Sequence, residues 1–345
     1  MKDLQHNLRD SLRCLIKLIV AAVLIAWLSA VSLPGRMAAQ APSGKDEGRP
    51  VSPNPDEARL VTSDIANFWR AYDQATPEND LIVFRNEYFR KGSYGLQQFT
   101  RLRITSVCNL VDVIAKRPKY YASIRENTLK VESMKEPIRA SFRKLKELYP
   151  AAVFPDVYFL IGVMNSGGTT TDKGLLIGTE MYGLTQQTPS EELTDWHKAV
   201  LKFIEAIPHI VAHELIHYEQ KYPKGNNTLL GQALSEGGAD FIAEMISGGN
   251  INDHLHRYGN PRERELWTEF QKEMSGKETS HWLYQGDKSK DRPADLGYYI
   301  GYKICEAYYQ PAADKKQAIK DLLEIKDFNQ FLVASGYAEK FGKNQ

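Results

Sequence analysis

The sequence contains little cysteine and almost no net charge. Its 345 residues include 3 cysteines, and 44 Lys and Arg nearly balance 43 Asp and Glu, for a formal net charge of +1. Without residues 1–41, 39 basic and 41 acidic side chains remain, a net charge of −2. No strongly basic region is left to attract a polyanion, so we expect no nucleic-acid partner.

The three cysteines could form a lipid anchor or a disulfide bond. Cys14 lies in the basic N-terminal segment, and no cysteine closely follows the apolar run at residues 18–33, so a lipid anchor is unsupported. Cys108 and Cys305 could pair in an oxidising compartment or remain two buried thiols, and both alternatives stay open. No internal repeat, phosphate-binding glycine loop or Ser/His/Asp constellation stands out.

The N-terminus is typical of an export signal. Basic side chains occur up to Lys17, and the uninterrupted apolar run LIVAAVLIAWLSAVSL follows at residues 18–33. Residues 39–41 have the small-x-small form of a cleavage site, but Pro42 would follow the cut, so an uncleaved membrane anchor is the alternative. We therefore predict an exported protein, periplasmic or extracellular, that is either released by cleavage or attached to a membrane through this segment.

Composition divides the chain into four parts. Residues 1–41 form the signal or anchor, and the Pro-, Gly- and Ser-rich residues 42–56 predict a disordered linker. Residues 57–150 have helical periodicity, and residues 151–345 form a C-terminal region. There the β-rich segments VFPDVYFLIGV and GLLIGTEMY flank the turn-like NSGGTTTDK, which predicts a β-hairpin.

Residues 208–220, PHIVAHELIHYEQ, contain the pattern HExxH. Because His213 and His217 are four residues apart, a helix would place both imidazoles on one side, where they can bind one ion. The pattern also occurs on ordinary amphipathic helices, and a zinc site of this kind needs a third protein ligand. The next helix offers Glu236 and, one turn later, Asp240. The two glycines between them each cost about 1 kcal/mol in a helix, which indicates close approach of another helix.

These motifs resemble a known group of enzymes. HExxH followed one helix later by E-x-x-x-D resembles the gluzincins, the zinc metallopeptidases of the thermolysin clan. The segments EGGADF, IGVMNSGGTTTDKGLLIGTE and GYYIGYK are similar to a bacterial family of predicted zinc-dependent proteases, over about residues 157–309. The resemblance implies a predominantly helical α+β fold whose zincin-like catalytic region, residues 151–345, has a β-hairpin or small sheet beside the HExxH helix.

The same resemblance implies a role for each site residue. Zn²⁺ would be bound by His213, His217 and Glu236, and Glu214 would act as the general base for a zinc-activated water. Asp240 would accept the free N–H of a zinc-bound imidazole. The chain would then be an exported zinc peptidase acting on a peptide or protein, and an extended substrate would pair with an edge strand of the hairpin.

A donor to the reacting oxyanion is also expected, since zinc alone rarely stabilises all of that charge. Tyr298 is the first candidate and Tyr302 the second, with His281 as a competitor. Alternatively, both phenols only pack against the catalytic helices.

Two other functions stay open. The chain could be a non-catalytic binding protein stabilised by zinc, or a metal-dependent amidase acting on a non-peptide substrate. Retention of Glu214 argues against the first, because a structural site needs its ligands but no base.

Overall fold

A computed structural model describes residues 47–225 and 227–342 of the chain. The predicted export signal or anchor, residues 1–41, lies outside this part, as do the first residues of the predicted linker. From Glu47 onward the range predicted as linker contacts the folded chain: Ser52 pairs with Phe154 in a β-bridge, and Arg49 forms an ion pair with Asp156 at 3.2 Å.

Most of the secondary structure is helical. The α-helices are α1 (Ser63–Gln74), α2 (Asp80–Phe84), α3 (Tyr94–Phe99), α4 (Val107–Lys116), α5 (Pro118–Ser123), α6 (Arg125–Leu129), α7 (Lys135–Leu148), α8 (Asp195–Val200), α9 (Ile207–Glu219), α10 (Leu229–Ser247), α11 (Asp253–Gly259), α12 (Glu263–Glu273), α13 (Gly297–Tyr309), α14 (Lys315–Leu323) and α15 (Phe328–Ser335). The π-helical segments Arg85–Phe89 and Thr100–Ile104 directly follow α2 and α3. Short 3-10 segments occur at Pro55–Glu57, Lys130–Met134, Thr179–Tyr182, Ile204–Ala206, Asn260–Arg262, Gly286–Lys288 and Ala338–Phe341.

The strands form one small mixed sheet. They are β1 (Leu60–Val61), β2 (Asp156–Leu160), β3 (Gly168–Thr171) and β4 (Gly174–Gly178), in the order β1-β2-β4-β3. The predicted α+β class, predominantly helical with a small sheet, is therefore confirmed. Every residue of β2 and β4 is buried, so both faces of the sheet are covered. Helices α1 and α3 contact β2, and α9 contacts β3 and β4.

The strand pairing predicted for the hairpin is wrong. The two β-rich segments contain β2 and β4, which run parallel, with Asp156 opposite Gly174. The segment predicted as their turn contains β3, which pairs antiparallel with β4 around a turn at residues 172–173. Three consecutive threonines in β3 explain the difference, because β-branched residues favour strands and a hairpin turn needs only two residues.

None of the helices in residues 47–225 and 227–342 is both long enough and apolar enough to cross a membrane. Cys305 is a free thiol buried in the core, so it does not pair with Cys108.

One hydrophobic cluster joins the N-terminal helices to the rest of the described chain, from Phe68 of α1 to Leu215 of α9 and Ile300 of α13.

Helices α10 and α13 pack backbone against backbone. A Cβ atom at Gly301 would lie 1.7 Å from the carbonyl oxygen of Ala233, and one at Gly237 would lie 2.1 Å from the amide nitrogen of Tyr302. Only glycine fits at these two positions, so the close approach indicated by the glycine pair is made by α13 at Gly237. A Cβ atom at Gly238 would lie 3.4 Å from its nearest neighbour, Cys305 Sγ. This distance is an ordinary van der Waals contact.

Gly237→Ala should therefore lower the free energy of unfolding by about 1–3 kcal/mol, the usual cost of overpacking a close contact. Gly238→Ala is the matched control, since it adds the same methyl group one residue along the same helix. It should be neutral or stabilising by up to about 1 kcal/mol, because alanine favours helix. Urea unfolding of the full-length variants measures both, and equal stabilities would contradict the packing described here.

Candidate metal centre

Helix α9 carries the HExxH pattern and is buried on nearly all sides. Pro208 lies in its first turn, where the missing N–H costs no helical hydrogen bond. Apolar side chains such as Val211 and Leu215 are fully buried, and so, almost completely, are His213 and Glu214. The polar residues of the pattern therefore face other parts of the protein and a cleft.

Helix α10 supplies two carboxylates that face α9. It begins after Thr228, whose side chain accepts a hydrogen bond from the amide of Gly231. Glu236 and Asp240 follow one turn apart. Asp240 Oδ1 lies 2.7 Å from His213 Nδ1, and Asp240 Oδ2 accepts a hydrogen bond from Asn252 at 2.8 Å.

The hydrogen-bond partners fix where each imidazole carries its proton. A carboxylate only accepts, so His213 carries hydrogen on Nδ1. His217 Nδ1 lies 3.0 Å from Gln220 Oε1, and this oxygen also accepts from the Ser235 hydroxyl, while the Gln220 amide nitrogen donates to Ser235 O. His217 therefore also carries hydrogen on Nδ1. In their neutral forms both imidazoles present a lone pair on Nε2.

The two Nε2 atoms and one oxygen of Glu236 converge. His217 Nε2 lies 3.0 Å from His213 Nε2 and 3.0 Å from Glu236 Oε2, and the third side of the triangle, His213 Nε2 to Glu236 Oε2, is 3.6 Å. Ligands at about 2.0–2.1 Å from a tetrahedral zinc would be about 3.3 Å apart. Three acceptor atoms at these distances repel one another unless a cation lies between them, so the donor set fits a zinc ion.

The electrostatics of the cluster also favour positive charge. Burial alone would lower the pKa of His213, but the hydrogen bond with Asp240 and the nearby carboxylates raise it to about 10. Burial alone would raise the pKa of Glu236, but the two imidazoles hold it well below its usual range. The carboxylates of Glu214, Glu236 and Asp240 outnumber the imidazoles, so a cation here stabilises buried negative charge.

Tyr284 is a site residue that the sequence did not indicate. Its hydroxyl donates a hydrogen bond to Glu236 Oε1 at 2.7 Å, which leaves Oε2 to face the imidazoles. Its backbone has φ of 58°, and Gln285 and Asp295 hold it there by two reciprocal side-chain to amide hydrogen bonds of 2.9 Å. The surrounding segment has no helical or strand periodicity, so no sequence signal connects it with Glu236.

Glu214 lies against the backbone of β3. A Cβ atom at Gly168 would lie 2.4 Å from Glu214 Oε1, so a larger residue at this position would displace the Glu214 carboxylate. Burial raises the pKa of Glu214, although the positive charge favoured on the imidazoles opposes the shift. Strand β3 thus lies beside the HExxH helix, and its backbone covers one side of the cluster.

The structure brings only one of the two predicted tyrosines to the cluster. The ring of Tyr298 is stacked on His213, with centroids 6.3 Å apart and planes at 16°. Tyr302 donates a hydrogen bond to Glu244 at 3.0 Å and does not line the cleft. His281 is exposed, its Nδ1 lies 3.0 Å from Glu273 Oε2, and it does not line the cleft.

The cluster lies at the floor of a cleft of about 780 Å³. Residues 165–170, which include part of β3, form one wall, and Tyr284, Asp295 and Tyr298 form another. Strand β3 is at the end of the sheet, and its outer edge pairs with no other strand in the described part of the chain. The cleft therefore combines a cation site with a free strand edge.

Comparison with known proteins gives one match. A family model described as gliding motility protein GldB matches residues 52–339, which include α9, α10 and α13. No curated protein and no solved structure matches the chain.

The family match overturns the interpretation as a zinc peptidase. It covers the motifs that resembled gluzincins and predicted zinc-dependent proteases, and the family is described by gliding motility instead. The assignment as a hydrolase was therefore wrong. The physical reason is that HExxH specifies ligand geometry alone, and the same geometry can bind an ion with no reaction. The roles of Glu214, Tyr298 and Tyr302 at the site stay predictions.

The match also bears on localisation. The family is one of lipoproteins, although no cysteine closely follows the apolar run at residues 18–33 of this chain. At the coarser level, the match makes the chain an exported, membrane-associated protein. Export, which the N-terminal sequence predicted, is confirmed at this level.

Proposed function

Because the chain belongs to the gliding motility protein GldB family, we propose that it is a non-catalytic component of a gliding-motility assembly. A Zn²⁺ bound by His213, His217 and Glu236 stabilises the floor of the cleft, and the cleft binds an extended segment of a partner protein. The observation that carries the proposal is the convergence of three acceptor atoms, 3.0–3.6 Å apart, beside a free strand edge.

Zinc suits this donor set better than harder cations. Two imidazole nitrogens and one carboxylate oxygen are typical zinc ligands, whereas calcium and magnesium prefer oxygen alone. Asp240 and Gln220 hold the two rings in the tautomer that presents Nε2, and such partners are usual for metal-bound histidines. Three protein ligands leave one of the four usual zinc positions for a donor from outside, which a bound segment could supply.

The strand edge and the exposed side chain beside the three acceptor atoms indicate that the partner is an extended protein segment. The outer edge of β3 can accept a further strand through backbone hydrogen bonds. Tyr284 is about half exposed and lines the cleft. Tyrosine is enriched at protein-binding surfaces, where its ring packs against a partner and its hydroxyl forms a hydrogen bond.

The proposal also includes the core fold, the compartment and the mode of membrane attachment. We propose that the chain has a zincin-like core but no peptidase activity. Two features support this fold: β3 lies beside the HExxH helix, and Glu236 on the following helix faces His217. The protein is proposed to act in the periplasm or outside the cell. Membrane attachment is proposed through the apolar residues 18–33, because no cysteine closely follows them.

Full-length chain purified with zinc should retain about one zinc ion per molecule, because three preorganised ligands bind zinc tightly. His213→Ala and Glu236→Ala should each lose the ion, measured by elemental analysis. His281→Ala is the control, since that exposed imidazole lies away from the cluster and its removal should leave zinc content unchanged. Zinc retained at wild-type level in both ligand variants would refute the assigned ligands.

Asp240→Asn should weaken zinc binding by about 10- to 100-fold, the usual cost of losing a partner of a metal-bound histidine. The amide has no charge, and its nitrogen would face either His213 or Asn252, both of which donate. Tyr298→Phe is the control, because it keeps the ring stacked on His213. Competition with a fluorescent zinc chelator measures the affinities, and unchanged affinity in Asp240→Asn would contradict the role of Asp240.

The zinc-loaded chain should leave a diverse peptide library intact over hours, with no difference when a chelator is added. Glu214→Gln should retain zinc, since Glu214 is not one of the converging ligands. Mass spectrometry of the peptides is the measurement. Cleavage that requires zinc and disappears in Glu214→Gln would show that the protein is an enzyme and reject the non-catalytic proposal.

A further inference from the structure

Arg103 lies on the wall of the cleft formed by β3. It belongs to the π-helical segment Thr100–Ile104, and its backbone carbonyl accepts a hydrogen bond from Asn165 at 3.1 Å. Its guanidinium donates through Nη2 to the hydroxyl of Thr169, in β3, at 3.2 Å. These two contacts hold the side chain beside the strand edge, where it lines the cleft.

The charge of Arg103 has no matching carboxylate. Its Nε is buried and has no acceptor among the described residues, and none of their carboxylates forms an ion pair with it. Its Nη1 also makes no hydrogen bond to a described residue, and it is not among the buried atoms, so it is the donor that a ligand in the cleft can reach. A charged donor left without an acceptor in a cleft indicates an acceptor that arrives with a ligand.

Glu214 is a nearby carboxylate that could be the ion-pair partner of Arg103. The positive charge of Arg103 contributes to lowering the pKa of Glu214, but less than the imidazoles do, and the two side chains do not form an ion pair. Arg103 instead contacts Thr169, the residue after Gly168 in β3. Its planar guanidinium is suited to bind a carboxylate through two parallel hydrogen bonds.

We propose that the cleft selects a partner segment that carries a carboxylate, which Arg103 binds while the segment lies along β3. This inference rests on the proposed function and adds the chemical class of the partner. The carboxylate belongs either to an Asp or Glu side chain within the segment or to the C-terminus of the partner chain. Both present the same chemistry to Arg103, and the experiment separates them.

Four pools of octapeptides test the proposal. Each pool is randomised among Thr, Val and Ser, carries either Glu or Gln at a central position, has a free or an amidated C-terminus, and bears a neutral fluorophore. Fluorescence anisotropy with zinc-loaded full-length chain measures affinity. A pool with a carboxylate should bind about 10- to 100-fold more tightly than the pool with neither, the range for a hydrogen bond with a charged group. The preferred pool identifies the source of the carboxylate.

Arg103→Met should abolish this preference, and Arg101→Met is its matched control. Arg101 lies two residues away on the same segment, is exposed and donates to Gln98, so its removal changes the net charge equally without touching the cleft. Thermal unfolding of both variants shows whether each remains folded. If Arg103→Met unfolds, Arg103→Gln, which keeps a donor to Thr169, takes its place.

The outcomes separate this inference from the proposed function. Tight binding without a preference for carboxylate, or a preference that persists in the Arg103 variant, would overturn the inference alone. Failure of all four pools to bind would reject both the binding cleft and the inference. A preference lost equally in the Arg101 variant would assign the effect to net charge and also overturn the inference.

Discussion

The rest of the site depends on one constraint, the burial of several carboxylates and two imidazoles between α9 and α10. His213, His217 and Glu236 direct three acceptor atoms at one another, and Glu214 and Asp240 add negative charge close by. Buried groups of this kind are stable only when a cation or donors compensate them. A proton could satisfy one pair of acceptors, whereas a divalent ion satisfies all three. The constraint therefore explains why both helices direct polar side chains into an otherwise apolar core.

The surrounding fold holds these groups in place through close backbone contacts. Gly237 lets α13 approach α10 directly behind Glu236, and Gly301 completes the contact from the other helix. Gly168 lets β3 pass over Glu214, which brings a strand edge to the cluster. Tyr284 reaches Glu236 from a segment held in a strained conformation. Small residues and one strained segment thus bring the cation site, the strand edge and the cleft together.

The parts of this arrangement that lie within one helix could be predicted from sequence, because the helical period alone brings His213 near His217. The glycine pair likewise indicated a close helix contact. Tyr284 and Asn252 could not be predicted, since they reach the cluster from irregular segments whose path depends on tertiary packing. The parallel pairing of β2 with β4 was missed because local β propensity does not specify which strands pair. The function was misassigned because HExxH describes ligands without specifying a reaction.

Diffraction from crystals of the full-length chain grown with zinc, recorded on both sides of the zinc absorption edge, locates any zinc ion in the cluster. One anomalous peak per chain is expected at about 2.0–2.2 Å from His213 Nε2, His217 Nε2 and Glu236 Oε2. Asp240 and Gln220 should remain hydrogen-bonded to the two Nδ1 atoms. Well-ordered imidazoles with no peak between them, or a peak bound by other residues, would contradict a zinc site formed by these three ligands.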